Sequence, residues 1–293
     1  LANIVTDFYL GADIAIDSLK TQGVSIDLKV YDTERNGTKI REILTTYDLN
    51  ENDVIIGPLY SEEAEIVANK VKKPVVFPVF SKKQSKFKSP RIIKTSPSKD
   101  IFRETLVSHI KEQFTNGTVT VIGDGKSNSN FQVAKVKAAL KVEDSISEVH
   151  VLKPENGYID KERLLKNFKK LSNNWVVLAT DDRVIASDAI NSLISLPDSI
   201  SAKVFAIDKG KAFDKISNIK LAKIGLTYVS DRFVDESSTN AKLFNKQYLA
   251  KNHSLPTFYA TKGFDITYDI LMRLASGDQL KTTFKNGSSY RVE

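Results

Sequence analysis

Apolar positions along this chain switch repeatedly between two periods. Phe8, Ala12, Ala15, Ile16 and Leu19 fall on one face at helical spacing, which predicts a helix over 7–21 ended by Gly23. Ile26, Leu28 and Val30 alternate with polar positions and predict a strand over 26–31. The same switching continues. Helices are expected over 39–48, 61–70, 100–114, 130–141, 160–171, 183–195, 240–252 and 257–274. Strands are expected over 53–56, 74–78, 92–96, 118–122, 147–152, 175–179, 202–207 and 225–230. Ser61 is read as the N-cap of its helix, with Glu62 and Glu63 favourable in the first turn.

Strands separated by helices imply parallel sheets built from right-handed crossovers. The strands are too many for one comfortable sheet, so the fold class is α/β with two Rossmann-like lobes. The first lobe is assigned to 1–104 with 231–285 and the second to 105–230, with 286–293 as a candidate addition to the second. The chain opens at Leu1 and closes on Asn286-Gly287-Ser288-Ser289-Tyr290, a turn running into a strand start. Both ends are expected to lie inside a longer polypeptide, with a first strand before Leu1.

Composition narrows the chemistry. The 293 residues carry 43 Lys+Arg against 36 Asp+Glu, a formal charge of +7, with 41% hydrophobic and 27% charged residues. That balance suits a folded soluble domain. The excess is lysine spread along the chain, with one cluster at Lys82, Lys83, Lys86 and Lys88. Without Arg-rich runs and interleaved aromatics, it reads as a solvated loop and not a nucleic-acid surface. Cysteine is absent, which removes disulfides, thiol nucleophiles and cysteine-ligated zinc. His109, His150 and His253 are far apart, so no metal site is expected.

The enzyme motifs fail one by one. Gly123-Asp124-Gly125-Lys126-Ser127 ends like a phosphate loop, but the Walker pattern needs glycine where Thr120 stands. The dinucleotide pattern needs one where Asn128 stands. Asp181-Asp182, just after an apolar strand, fits helix capping better than acid–base work. The sequons at Asn36, Asn116 and Asn286 each contain glycine and read as Asn-Gly turns. No catalytic set and no cofactor is expected.

Ligands of open parallel sheets bind beyond the carboxyl ends of strands. Here those ends carry Gly57-Pro58-Leu59-Tyr60-Ser61, Val79-Phe80-Ser81, Gly123-Asp124-Gly125-Lys126-Ser127, Thr180-Asp181-Asp182 and Asp208-Lys209. Hydroxyls and helix-start amides suit a carboxylate, and acidic groups suit an ammonium. Together they are complementary to an amino acid.

Three stretches carry a family likeness: Asp7-Phe8-Tyr9-Leu10-Gly11-Ala12 through Val30-Tyr31-Asp32-Thr33, then Asp53 to Ser61, then Val75-Val76-Phe77-Pro78. The chain resembles the type I periplasmic-binding fold, in its leucine/isoleucine/valine-type substrate-binding branch. It is also similar to LysM-linked envelope members of Bacteroidetes-type bacteria and to the penicillin-binding-protein activator domain. The resemblance implies an interlobe ligand cleft, delivery to an ABC transporter membrane component, and a periplasmic or cell-envelope home, with lipid anchoring as one form. It implies that Ser61 and Ser81, with the backbone at Val79 and Phe80, hold the ligand carboxylate, beside aromatic walls at Tyr60 and Phe80. Thr180 and Asp181 would close from the second lobe, and Asp208-Lys209 stand where the family places an acid for the ammonium. The alternative implied is an envelope module that binds a protein or peptidoglycan.

Overall fold

The computed structural model describes residues 2–141, 148–170, 172–277 and 280–286. Its elements in chain order are α1 (Ala2–Thr21), α2 (Gly37–Thr46), β1 (Ile55–Ile56), α3 (Ser61–Lys70), β2 (Val75–Phe77), β3 (Ile92–Lys94), α4 (Lys99–Gln113), β4 (Thr118–Gly123) and α5 (Ser127–Leu140). Then follow β5 (Val149–Leu152), α6 (Lys161–Lys166), β6 (Asn174–Ala179), α7 (Arg183–Ile194), β7 (Ala202–Ala206), α8 (Asn218–Lys223), α9 (Thr239–Asn252), α10 (Phe258–Ala275) and α11 (Leu280–Asn286). The chain divides into two compact units. One runs to Ser98 and resumes at Asp231; the other is the continuous segment Lys99–Ser230. The expected boundary at 104/105 falls inside α4, whereas the division lies ahead of that helix, which packs whole against its own unit through Leu106 and Ile110. The expected assignment of 286–293 falls, after Asn286, outside the described residues.

The first unit has a three-stranded parallel sheet in the order β1-β2-β3, with Ile55 opposite Val75 and Val75 opposite Ile92. β2 is buried on both faces, as a central parallel strand must be. Ile40, Ile43, Val67 and Val71 cover one side of the sheet, and Ile270 and Leu280 pack with Val76 on the other. α1 and α10 cross at very close range. A Cβ on Gly11 would lie 1.8 Å from the Ala260 carbonyl oxygen, and one on Gly263 would lie 2.0 Å from that of Phe8. Only glycine permits such an approach of two backbones.

The strand expected over 26–31 is not formed. The segment makes no ladder with another strand among the described residues, and Leu28 and Val30 are exposed by 44% and 60%. Alternation prepares a segment for pairing, but a strand needs a neighbour to receive its N–H and C=O groups. The helix expected from residue 7 begins at Ala2 instead, since Ala2–Thr6 carries no glycine or proline to break it.

The second unit has a four-stranded parallel sheet in the order β5-β4-β6-β7. β4 and β6 are buried at every position and pair from Thr118 opposite Asn174 to Gly123 opposite Ala179. Trp175 is fully buried, stacked on Phe205 with ring centroids 5.5 Å apart. Asn174 closes one end of the sheet: its amide donates to the carbonyls of Lys169 and Ser201, and its oxygen accepts from Thr118 Oγ1. The strand expected over 225–230 shrinks to a single bridge, Phe205 to Thr227. The helix expected over 160–171 is the short α6, N-capped by Asp160. Asn36 is the N-cap of α2 and not a hairpin turn, whereas Gly117 does take a turn conformation, at φ 112°.

Candidate functional site

In the first unit, the loops after β1 and β2 meet at the start of α3. The N-cap of α3 is Tyr60 and not Ser61, and its side chain makes no capping hydrogen bond. The opening amides of the helix therefore lack a side-chain acceptor of the usual kind. Ser61 occupies the first helical position. Its hydroxyl is consequently not used on its own helix. Ser81 Oγ donates to Ser61 Oγ at 3.4 Å, and the proton of Ser61 finds no acceptor among the described residues. Ser81 has a second duty: it caps the short 3₁₀ turn Lys82–Lys86, accepting from Lys83 N–H at 3.1 Å while its own N–H donates to Gln84 Oε1. The turn chemistry thus fixes the Ser81 hydroxyl beside Ser61. Val79 and Phe80 form the connection from β2, and Phe80 is exposed at its rim.

Charge around this site is arranged unevenly. Lys83, from the basic cluster, pairs with Glu62 and holds that carboxyl below its ordinary range. Glu63 is buried; desolvation pushes its carboxyl up, against the opposing pull of Arg35 and a hydrogen bond from Thr33. Its Oε2 has no hydrogen-bond partner. The Arg35 guanidinium lies over the Tyr60 ring, 4.6 Å from its centroid. Arg35 was missed in the sequence reading. It sits just past the carboxyl end of 26–31, the same criterion that singled out the other loops.

In the second unit, the turn after β6 is closed on itself. Thr180 is buried; its hydroxyl donates to Asp124 Oδ2 at 2.8 Å and accepts from Asp182 N–H at 3.0 Å. Asp181 N–H also reaches Asp124, and its carboxylate accepts from Asn128 Nδ2 at 3.1 Å. Asp182 is the N-cap of α7 and pairs with Lys126 at 2.7 Å, which lowers its carboxyl. The loop that opens Gly-Lys-Ser therefore serves to tie two strand ends together: Asp124, at its head, accepts hydrogen bonds from Lys126 N–H and from the Thr180 hydroxyl. Asp124 lies in a strand-end loop the sequence offers, but its bond to Thr180, 56 positions away, is not something local pattern gives.

Asp208, expected to meet an ammonium, is already matched. Arg103 donates to it through Nε at 3.1 Å and through Nη2, and Lys99 stands 3.8 Å away. The neighbouring Lys209 lies over the Tyr228 ring and donates to its hydroxyl at 3.2 Å. The structure thus brings Tyr60, Ser61 and Ser81 together in one unit. In the other it joins Thr180 and Asp181 through Asp124, while Asp208 belongs to a separate ion cluster.

No protein-family model matches the chain, and no curated protein matches it. Solved structures do. A chain assigned to a branched-chain amino acid ABC transporter of Rhodospirillum rubrum superposes with a TM-score of 0.61 at 15% identity, covering 94% of this chain and 81% of that one. A branched-chain amino acid ABC transporter periplasmic ligand-binding protein of Burkholderia xenovorans gives 0.52 at 13% identity, covering 98% and 79%. An ABC transporter substrate-binding protein of Desulfitobacterium hafniense, in complex with Leu, gives 0.50 at 15% identity, covering 93% and 81%. These likenesses show that the fold is the type I periplasmic-binding fold, with parallel sheets in two groups. None of the three is described as a LysM or peptidoglycan protein.

Proposed function

We propose that this chain is an extracytoplasmic solute-binding protein that captures a small carboxylate-bearing ligand, of amino-acid type, for uptake by an ABC-type transporter. The observation that carries the reading is the Ser61 hydroxyl. It stands on the first turn of a helix it does not cap, beside a second hydroxyl at 3.4 Å, with its proton uncommitted. A carboxylate oxygen placed there accepts from the hydroxyls and from the opening amides of α3, aided by the positive end of the helix. Tyr60 and Phe80 supply flat apolar walls, and the backbone at Val79 and Phe80 supplies further polar groups. The fold supports the same reading, since the similar solved structures are binding proteins of ABC transporters. The lobe assignment and the closing roles of Thr180 and Asp181 belong to this proposal. Asp208 contributes to it only by holding Arg103 in place.

The test is a thermal-shift and calorimetric screen of the chain against amino acids, short peptides, nucleotides and muropeptides. Stabilisation that rises with ligand concentration as mass action requires identifies a binder and its class. Ser61→Ala then weakens the hit by about 10–100-fold, the worth of one hydrogen bond to a charged group, with little change in Tm. Adding Ser81→Ala weakens it further, at a cost of about 1 kcal/mol in stability from the lost cap. Affinity that survives both substitutions places the ligand elsewhere, and no hit at all sets the solute-binding reading aside.

A further inference from the structure

The loop Asp32–Asn36 holds an unusual backbone. Glu34 and Arg35 are consecutive non-glycine residues, both at φ 52°, in the left-handed region. Such residues cost roughly 1 kcal/mol or more each and persist where surroundings over-determine them. Here Asp32 Oδ1 accepts from Glu34 N–H at 2.8 Å, and Asn36 N–H donates to the Thr33 carbonyl at 2.8 Å before Asn36 caps α2. The result is that Arg35 is turned back onto Tyr60, the residue immediately before Ser61.

What distinguishes Arg35 is its lack of a partner. Among the described residues its guanidinium makes no ion pair and no hydrogen bond; its contact is the Tyr60 ring. Two other cations of the same unit are engaged, Lys83 by Glu62 and Arg91 by the Ala68 carbonyl. The acid that Arg35 influences, Glu63, is buried behind it and bonded from Thr33. A guanidinium held over an aromatic ring by a cation–π contact still has N–H groups to offer, and its fork matches a carboxylate with two parallel hydrogen bonds.

From this juxtaposition we infer that Arg35 is a specificity-determining residue, and that the site takes a small ligand with two anionic groups: one carboxylate at Ser61 and Ser81, the second at Arg35. The inference rests on the solute-binding reading and names its substrate class. A dicarboxylate and an acidic amino acid share this chemistry. They differ in the ammonium, and the two acids at the start of α3 are not open to receive it, since Glu62 is paired and Glu63 is buried.

The experiment is calorimetric titration of the whole chain with glutarate, L-glutamate and L-leucine, repeated on Arg35→Gln, Arg35→Lys and Ser61→Ala. Glutarate is expected to bind at least about 10-fold tighter than leucine, with the preference shrinking as salt is raised. Arg35→Gln is expected to remove that preference, weakening glutarate by about 10–100-fold and leaving leucine within about threefold. Arg35→Lys keeps the charge without the fork and is expected to fall between. Glutamate tighter than glutarate points to an acid that receives the ammonium; the reverse points to a plain dicarboxylate. Both keep Arg35 in its role. Leucine binding as tightly as the dianions, or a glutarate-to-leucine ratio unmoved by Arg35→Gln, overturns the inference while leaving the solute-binding reading standing. Binding unaffected by Ser61→Ala, with the ratio still sensitive to Arg35, overturns the Ser61 assignment instead. Absence of binding by all three ligands overturns this substrate class.

Discussion

Gly263→Ala should destabilise the first unit, although alanine is ordinarily the better helix residue. In an exposed helix interior the exchange is worth about 0.5–1 kcal/mol in favour of alanine. At Gly263 the new methyl group would lie 2.0 Å from the Phe8 carbonyl oxygen, where ordinary contact begins at 3.4 Å. That oxygen is backbone, so relief requires α1 and α10 to part by roughly 1.4 Å, a gap that forfeits more than half of each contact's attraction. The face that would loosen holds Phe8, Ile14 and Ala260, all buried. Overpacking of this kind costs about 1–3 kcal/mol, and after the helix gain is subtracted the net loss should be about 1 kcal/mol. For a unit of this size that is a fall in Tm of roughly 2–4 °C. Urea denaturation followed by circular dichroism measures it directly. Gly37→Ala is the control, since its methyl group would meet only the tips of Ile66 and Arg41 at 3.6 and 3.7 Å; it should stay within about 0.5 kcal/mol of the parent. A Gly263→Ala protein as stable as the parent would show that α1 and α10 do not cross at this distance.

Two further outcomes follow from buried groups. Glu63→Gln should raise stability at neutral pH. The folded carboxyl is pushed up by burial, so the proton-bound form is the favoured one: the contribution is fully present below the ordinary carboxylate range and is lost as pH rises through the folded value. The advantage of glutamine should therefore vanish in acid, and an advantage constant across pH 3–8, on the order of experimental scatter in its variation, would rule the mechanism out. Trp175, the only tryptophan, is fully buried between Phe114 and Phe205, with Lys203 over its ring. Its fluorescence should be blue-shifted in the native state and should report unfolding of Lys99–Ser230 alone; native emission like that of free tryptophan would contradict the packing.

Local pattern was enough for what local physics decides. Buried runs such as Val75–Phe77 and Trp175–Ala179 announce parallel strands, and the loops after β1 and β2, legible as strand ends, bring the Ser61 and Ser81 hydroxyls side by side. The reading failed where a residue's state depends on a partner distant in sequence. Ile26–Tyr31 alternates like a strand yet lacks one. Asp208 looks like an open carboxylate until Arg103, 105 positions earlier, is placed on it. The short α8 and α11 carry too few turns for periodicity to register. The difference between Ser61 as cap and Ser61 as first helical residue is a single position, within the usual uncertainty of a boundary, but it decides whether the hydroxyl is occupied.

The crossing of α1 with α10 also sets a timetable for synthesis. The apolar face of α1 leaves the ribosome well before its partner around Ala260, which emerges about 250 residues later; at ~5–20 residues per second that is a delay of roughly 12–50 s. Lys99–Ser230 is one continuous stretch and can fold during that interval. The first unit has to wait, with Phe8, Ile16 and Leu19 uncovered, until α10 has been made. For that interval the nascent protein carries a folded unit beside an adhesive one, and a holdase that grips exposed helices would find its binding site on α1.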